Sequence, residues 1–316
     1  MKILANDGIA QAGKVKMQEA GFEVLETKVA QGQLANYINE QNVTGLLVRS
    51  ATLVDKAIID ACPDLKLIGR GGVGMDNIDV PYAKSKNVHV INTPAASSES
   101  VAELVMGHLL NGVRFLADSN RNMPLEGDRN FKQLKKAYQK GIELKGKTLG
   151  IIGFGRIGLA VAKRAIGLGM SVVFHDQLPD ERKVTLTFFD GQDVTFSLSG
   201  ISKDALLEQA DFISIHVPRT NDYIIGSAEI DKMKNGVGII NASRGGTLDE
   251  VALIKALDTK KVAFAGLDVF ESEPTPEIKI LMHPQISLTP HIGGSTIEAQ
   301  DRIALELADQ VISLLN

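Results

Sequence analysis

The stretch Thr148-Leu-Gly-Ile-Ile-Gly153-Phe-Gly155-Arg156-Ile157-Gly158-Leu-Ala-Val-Ala-Lys163 decides how the chain is read. An apolar run ends in Gly-x-Gly-x-x-Gly and passes into a segment with helical spacing, which predicts a strand, a tight turn and a helix. Such a string is common on its own, and this setting is what makes it specific. Gly153 permits the bend, Gly155 lets backbone come close to a pyrophosphate, and Gly158 lets the helix pack on the strand. The helix opens on Arg156 and Ile157, and the N–H groups of its first turn suit phosphate oxygens. The next strand ends in Phe174-His175-Asp176, with Asp176 18 residues past Gly158. A carboxylate there accepts hydrogen bonds from an adenosine ribose and repels a 2′-phosphate. The expected cofactor is therefore NAD rather than NADP.

Outward from this motif the chain alternates strand and helix patterns on both sides. Before it, strands are predicted at 2–5, 22–26, 45–49, 65–69 and 88–92, with helices at 10–20, 34–40, 54–61 and 80–86. After it come strands at 171–176, 212–216, 237–241, 262–268 and 286–289, then an amphipathic helix at 296–315. The rhythm predicts an α/β protein with parallel sheets covered by helices. Ser100-Val-Ala-Glu103 has capping-box spacing and predicts the start of a long helix. The polar, cation-rich stretch 119–140 shows no element. Residues 183–198 alternate apolar and polar around Asp190-Gly191, a β-hairpin signal set as an insertion in an α/β domain.

Length and charge narrow the classes further. A chain of 316 residues suits two domains of about 150 each. A net charge of −4 with interspersed signs gives no field for nucleic acid or a membrane surface. An anionic substrate must therefore be caught by local cations. The single cysteine, Cys62, excludes an internal disulfide, and its apolar surroundings read as core. No metal site is expected. The first residues run straight into a strand without a signal-peptide pattern, so the expected location is cytoplasmic.

Three later segments carry the chemistry: Asn241-Ala-Ser243-Arg244-Gly-Gly, Gly266-Leu-Asp268-Val-Phe-Glu271-Ser-Glu273-Pro274, and Thr289-Pro-His291-Ile-Gly-Gly294. Each follows a predicted strand, as sites at the carboxyl ends of a parallel sheet do. They closely resemble the D-2-hydroxyacid dehydrogenase family, and the resemblance runs along the whole chain. It implies a catalytic set of Arg244, Glu273 and His291. The chemistry accounts for the residue types. Oxidising a secondary alcohol needs a group that takes the hydroxyl proton, and an imidazole both takes and returns one near neutrality. Glu273 would stabilise the imidazolium, although Glu271 competes for that role. Arg244 offers a planar fork of donors to a carboxylate. The resemblance also implies cofactor contacts from His216, Val217, Pro218, Ser243, Asp268 and Gly294, with Asp268 near the nicotinamide end.

The same resemblance implies the architecture: a Rossmann NAD-binding domain, 96–290, inserted into a flavodoxin-like substrate domain made of 1–95 and 291–316. The active site is expected in the cleft between them, and the assembly is expected to be a homodimer. Lys135 or Lys136 is a candidate to reach a partner subunit's site.

Two stretches bear on the substrate: Val48-Arg49-Ser50-Ala51-Thr52 and Ile68-Gly-Arg70-Gly-Gly-Val73-Gly74-Met-Asp-Asn77. Both follow predicted strands. The glycine-rich turn suits backbone N–H contacts to a carboxylate. Arg49 and Arg70 are more cation than a lactate or glycolate needs, and Ser50, Val73, Gly74 and Asn77 complete the expected substrate set. These stretches, with Thr93-Pro94 and 101–104, resemble the 3-phosphoglycerate dehydrogenase branch of the family, which opens the phosphorylated route to L-serine. No regulatory domain is expected after residue 316, nor feedback by serine through one. Two readings stay open beside this one: a hydroxypyruvate or glyoxylate reductase, and, of another class, an NAD-sensing corepressor-like binding protein.

Overall fold

The computed structural model describes residues 1–177 and 181–315. The chain forms two units. One comprises Met1–Ser100 with the chain from Gly294 onward, and the other is Val101–Gly293. These boundaries fall a few residues beyond the 95/96 and 290/291 positions expected from the sequence.

In the first unit, β1 (Lys2–Ala5), β2 (Glu23–Leu25), β3 (Val43–Val48), β4 (Leu67–Arg70) and β5 (His89–Asn92) form a parallel sheet of order β2-β1-β3-β4-β5. This is the flavodoxin-like order. Successive strand residues point to opposite faces, and here both faces are buried. Leu4, Leu46 and Ile68 join a core with Leu34 and Ile38, while Ile3, Leu47 and Leu67 join Leu307, Ala308 and Val311 of the last helix, Ile297–Leu315. The strands therefore read as unbroken apolar runs, as parallel strands covered on both sides do. Cys62 is buried against this core with its thiol 3.9 Å from the Ala35 carbonyl. Burial pushes its pKa up, away from the reactive thiolate.

The second unit holds β6 (Thr148–Ile152), β7 (Ser171–His175), β10 (Phe212–Ile215), β11 (Val237–Asn241), β12 (Val262–Leu267) and β13 (Ile286–Leu288). They lie parallel in the order β13-β12-β11-β10-β6-β7. β7 and β10 flank β6 on opposite sides, so the strand order reverses there, and such a switch point is where sheets of this kind bind ligands at their carboxyl ends. β8 (Arg182–Thr187) and β9 (Asp193–Leu198) form the expected hairpin, with Gly191 in a left-handed conformation, φ 84°. A single parallel bridge, Phe174 to Gly200, stands beside β7 where a third Rossmann strand would run.

Two local expectations are corrected. The long helix begins at Ser98 and runs to Arg114, so Ser100 and Glu103 lie within it and form no capping box. The Glu103 carboxylate instead pairs with Arg164 at 2.9 Å. The stretch 119–140 also contains most of a helix, Leu116–Glu126, and a whole one, Phe131–Ala137. Phe115, at φ 56°, separates the first of these from the long helix. Neither has a buried residue, so neither carries the apolar stripe by which sequence periodicity finds helices.

The last helix is held close by Gly13 of the helix Gln11–Glu19, where an added Cβ would collide with the Ala304 carbonyl. Gly13→Ala is therefore expected to destabilise the protein by roughly 1–3 kcal/mol. Gly107 of the long helix is exposed with open space at its Cβ position, and Gly107→Ala should stabilise by roughly 0.5–1 kcal/mol. Unfolding midpoints in urea check both, and the opposite signs are the point of the comparison.

Candidate active site

The three fingerprint glycines meet three different demands. Gly153 sits at φ 91°, and a Cβ there would lie 2.5 Å from the His216 carbonyl oxygen and 2.7 Å from Val217, so the turn packs directly on the loop after β10. A Cβ on Gly158 would collide with the Gly153 carbonyl. Gly155 faces open space and is the N-cap of the helix Arg156–Gly167, without a side-chain cap. Gly155 and Arg156 are both exposed there. An open, uncapped helix start is what a pyrophosphate requires, so these residues fit a dinucleotide. The Asp176 carboxylate accepts the Phe154 N–H at 2.6 Å, which ties the acid expected at the ribose to the fingerprint turn.

Other expected cofactor residues are placed differently. The His216 ring turns inward, with Nε2 2.7 Å from Ser214 Oγ, and burial pushes its pKa down to about 3. It is neutral at any ordinary pH, and its backbone is what meets the fingerprint turn. Val217 packs on Gly153 as described, while Pro218 is exposed. The Ser243 hydroxyl donates to Asn241 Oδ1 at 2.8 Å and so points into the protein. Gly294 belongs to the first unit, where its carbonyl accepts Gln300 Nε2 at 2.7 Å.

The three expected catalytic groups follow three neighbouring strands. Arg244 follows β11, Glu273 follows β12 and His291 follows β13. Asn241, which sequence reasoning passed over, shapes the first turn. It accepts the Ser243 N–H at 3.1 Å and donates to the Arg244 carbonyl at 3.1 Å and to Thr247 at 3.0 Å. The Asn-x-Ser spacing was the available signal, since an Asn side chain often bonds backbone two residues on. Gly245 lets this turn pass the Phe270 carbonyl, where a Cβ would collide. Arg219, also missed, brings its guanidinium to 3.0 Å from the Cβ position of Gly246.

His291 Nδ1 lies 2.8 Å from Glu273 Oε2, and the other carboxylate oxygen accepts the Phe270 N–H at 2.9 Å. Glu271 is committed elsewhere. Its carboxylate takes the Glu250 N–H at 3.0 Å and the Tyr223 hydroxyl at 3.1 Å. Burial pushes the Glu273 pKa up, but the bonds from His291 and Phe270 and the charges of His291 and Arg244 outweigh it, so the carboxyl sits below its usual range. The arrangement offers an imidazole whose second nitrogen is left for a reacting proton, backed by an ionised carboxylate and a neighbouring guanidinium.

Asp268 differs most from expectation. It is 1% exposed, and its carboxylate accepts the Thr289 hydroxyl at 2.6 Å and the N–H groups of Ile292 and Gly293, each at 2.8 Å. It grips the loop that carries His291 rather than facing outward to a nicotinamide.

In the first unit, register pairs Val48 with Arg70, which places Arg49 just past the end of β3 and Arg70 at the end of the adjacent β4. Asp7, missed from sequence, accepts the N–H groups of Arg49 at 2.7 Å and Thr52 at 3.2 Å. Asn77 donates to the carbonyls of Arg49 at 2.8 Å and Thr52 at 2.6 Å, so it braces this loop instead of presenting its amide to a substrate. The N–H groups of Gly71 and Gly72 are engaged by the Val48 and Arg70 carbonyls. Amide donors for a ligand must then come from Val73 or Gly74. Gly72, at φ 148°, lies directly under the Arg70 guanidinium. Ser50 and Val73 are exposed. Among the described residues no group of three His, Cys, Asp or Glu is arranged to hold a metal, and no helix is long and apolar enough to cross a membrane.

Two tests follow. Asp176→Asn keeps an acceptor for Phe154 but removes the charge, so a preference for NAD over NADP of at least roughly tenfold, about 1.4 kcal/mol, should largely vanish in kcat/KM. The depressed Glu273 carboxyl contributes stability that is complete above the ordinary glutamate value of 4.5 and is lost as pH falls through its lower folded value. The stability gap between wild type and Glu273→Gln should therefore be full at neutral pH and close in acid, as read by denaturant titrations at stepped pH.

The family profile described as "D-isomer specific 2-hydroxyacid dehydrogenase, NAD binding domain" matches residues 106–293. A hydroxypyruvate reductase of Thermotoga maritima is 43% identical over 320 residues, covering 99% of this chain and 98% of that protein. A D-3-phosphoglycerate dehydrogenase of Archaeoglobus fulgidus is 36% identical over 99% of this chain, which spans only 57% of that longer protein. A crystal structure of a Thermus thermophilus protein superposes with a TM-score of 0.85 at 28% identity, covering 100% of this chain and 97% of that one. The chain belongs to the D-isomer specific 2-hydroxyacid dehydrogenase family and is an NAD-binding oxidoreductase.

Proposed function

We propose that the protein interconverts 3-phospho-D-glycerate and 3-phosphohydroxypyruvate. The observation that carries this reading is the pair of arginines, Arg49 just past β3 and Arg70 at the end of the adjacent β4. Asp7 and Asn77 fix the backbone of one, and Gly72 seats the guanidinium of the other. Two rigidly based cations exceed what one carboxylate needs and suit a phosphate. In this reading Arg244 orients the substrate carboxylate and C2 oxygen, and amides of the 73–74 turn assist. His291 takes the C2 hydroxyl proton in oxidation and returns it in reduction, with Glu273 stabilising its charged form. NAD, when bound, supplies the hydride acceptor or donor. Homodimerisation, with Lys135 or Lys136 reaching the partner, and a cytoplasmic setting belong to the same reading.

A second reading has its own support. The Thermotoga maritima relative of matching length is a hydroxypyruvate reductase, so reduction of the unphosphorylated 2-oxo acid is the alternative.

The contrast between the two substrates tests both. If Arg49 and Arg70 hold a phosphate, each charge-assisted bond is worth about 1.5–3 kcal/mol. Replacing either with Ala should then lower kcat/KM for phosphohydroxypyruvate by roughly ten- to a hundredfold, following from that energy. Hydroxypyruvate should be much less affected, because it never meets the lost cation. NADH consumption reads both rates. Equal losses on both substrates, or a wild-type preference for hydroxypyruvate, would move the assignment to the second reading.

A further inference from the structure

The structure surrounds His108 with hydrogen-bond partners. It lies on the buried face of the helix Ser98–Arg114, 2% exposed, against β12 at Gly266, where a Cβ would come within 2.5 Å of its own Cβ. Its Nε2 is 3.0 Å from Thr289 Oγ1 and its Nδ1 is 2.8 Å from Ser287 Oγ.

The proton positions follow from the partners. The Thr289 hydroxyl donates to Asp268 at 2.6 Å, so its oxygen is left to accept from His108, and the ring proton sits on Nε2. Nδ1 then accepts the Ser287 hydroxyl, whose oxygen takes an Asn111 N–H at 2.5 Å. Every donor in the run Asn111, Ser287, His108, Thr289, Asp268 meets an acceptor only when the imidazole is neutral. Burial pushes the His108 pKa down, against the pull of Asp268, which agrees with that state.

The network ends at a strained residue. His291 has φ 54°, a left-handed conformation that costs a non-glycine residue about 1–3 kcal/mol and persists only where neighbours enforce it. The enforcing contacts are the Asp268 carboxylate on the next two amides, Ile292 and Gly293, and the bond from the His291 N–H to the Thr289 carbonyl at 3.1 Å.

We propose that His108 is a positioning residue for the acid–base histidine. Through Thr289 it orients Asp268, which fixes the left-handed turn that aims His291 Nδ1 at Glu273. This rests on the reading of His291 as the acid–base group. His108 touches no reacting atom itself, so its effect is on alignment.

The experiment compares His108→Leu, His108→Gln and Thr289→Val with wild type, using NADH with phosphohydroxypyruvate and with hydroxypyruvate. His108→Leu removes both ring hydrogen bonds, Thr289→Val removes the link to Asp268, and His108→Gln can still donate to Thr289 and accept from Ser287. The two severing variants should lose roughly ten- to a hundredfold in kcat, with KM for NADH nearly unchanged, as misalignment of a reacting group does. The Gln variant should keep most of the rate. The Nδ1–H proton resonance of His291, identified by its loss in His291→Ala, should shift or broaden in both severing variants and hold its place in His108→Gln. A drop in Tm with wild-type kcat in both would reduce the network to a structural role and overturn the proposal. So would a Gln variant as slow as the Leu variant with the resonance unmoved. Should His108→Leu fail to fold, Thr289→Val decides on the same criteria. Wild-type kcat in His291→Ala would instead overturn the acid–base reading itself, and the positioning role with it.

Discussion

A carboxylate buried among apolar strands is costly unless its oxygens are fully engaged. Asp268 meets that condition by taking two amides and a hydroxyl from a single loop. The dependence runs both ways. The loop satisfies the charge, and the charge dictates the shape of the loop, including the turn at His291 that its backbone would not choose unaided. Because Asp268 follows β12 and the loop follows β13, the bond also ties two strand ends whose register is set deep in the sheet. The geometry of the candidate acid–base pair is thus inherited from the sheet through one side chain.

Similar bracing recurs at the other strand ends. Asn241 folds back on the turn that displays Arg244, Asp7 and Asn77 secure the turn that displays Arg49, and Asp176 holds the fingerprint loop by the Phe154 N–H. In each place a short polar side chain fixes the backbone of the turn. The pattern explains why several residues expected to contact cofactor or substrate have side chains that face inward: within each segment some members are bonded to the turn itself.

That bonding is what the sequence conceals. The parallel sheets were legible from apolar runs between helical patterns, the hairpin from alternation about Asp190-Gly191, and the fingerprint from its setting between strand and helix. Arg244 and His291 stood out through the segments around them. Asp268, Ser243 and Asn77 were noticed as ligand contacts, but their inward hydrogen-bond partners went unseen, because those partners lie 2 to 28 positions away and leave no periodic trace. His108 is the extreme case, with partners 179 and 181 residues distant. The two helices between 116 and 137 escaped for another reason: lacking a buried face, they have no stripe to detect. The long helix was placed three residues late because hydroxyls at Ser97, Ser98 and Ser100 all resemble caps.

The last helix brings Leu307, Ala308 and Val311 to a core that otherwise belongs to the first hundred residues. Synthesis on the ribosome is vectorial, and domains commonly fold in the order in which they emerge. Here that order is inverted. The apolar face presented by Ile3, Leu47 and Leu67 has only part of its cover, from residues such as Met17 and Ala96, until that helix leaves the exit tunnel, by which time the inserted unit is complete. The unit whose synthesis starts before the inserted one closes after it, and during translation its partly covered sheet face is the surface on which a chaperone would act.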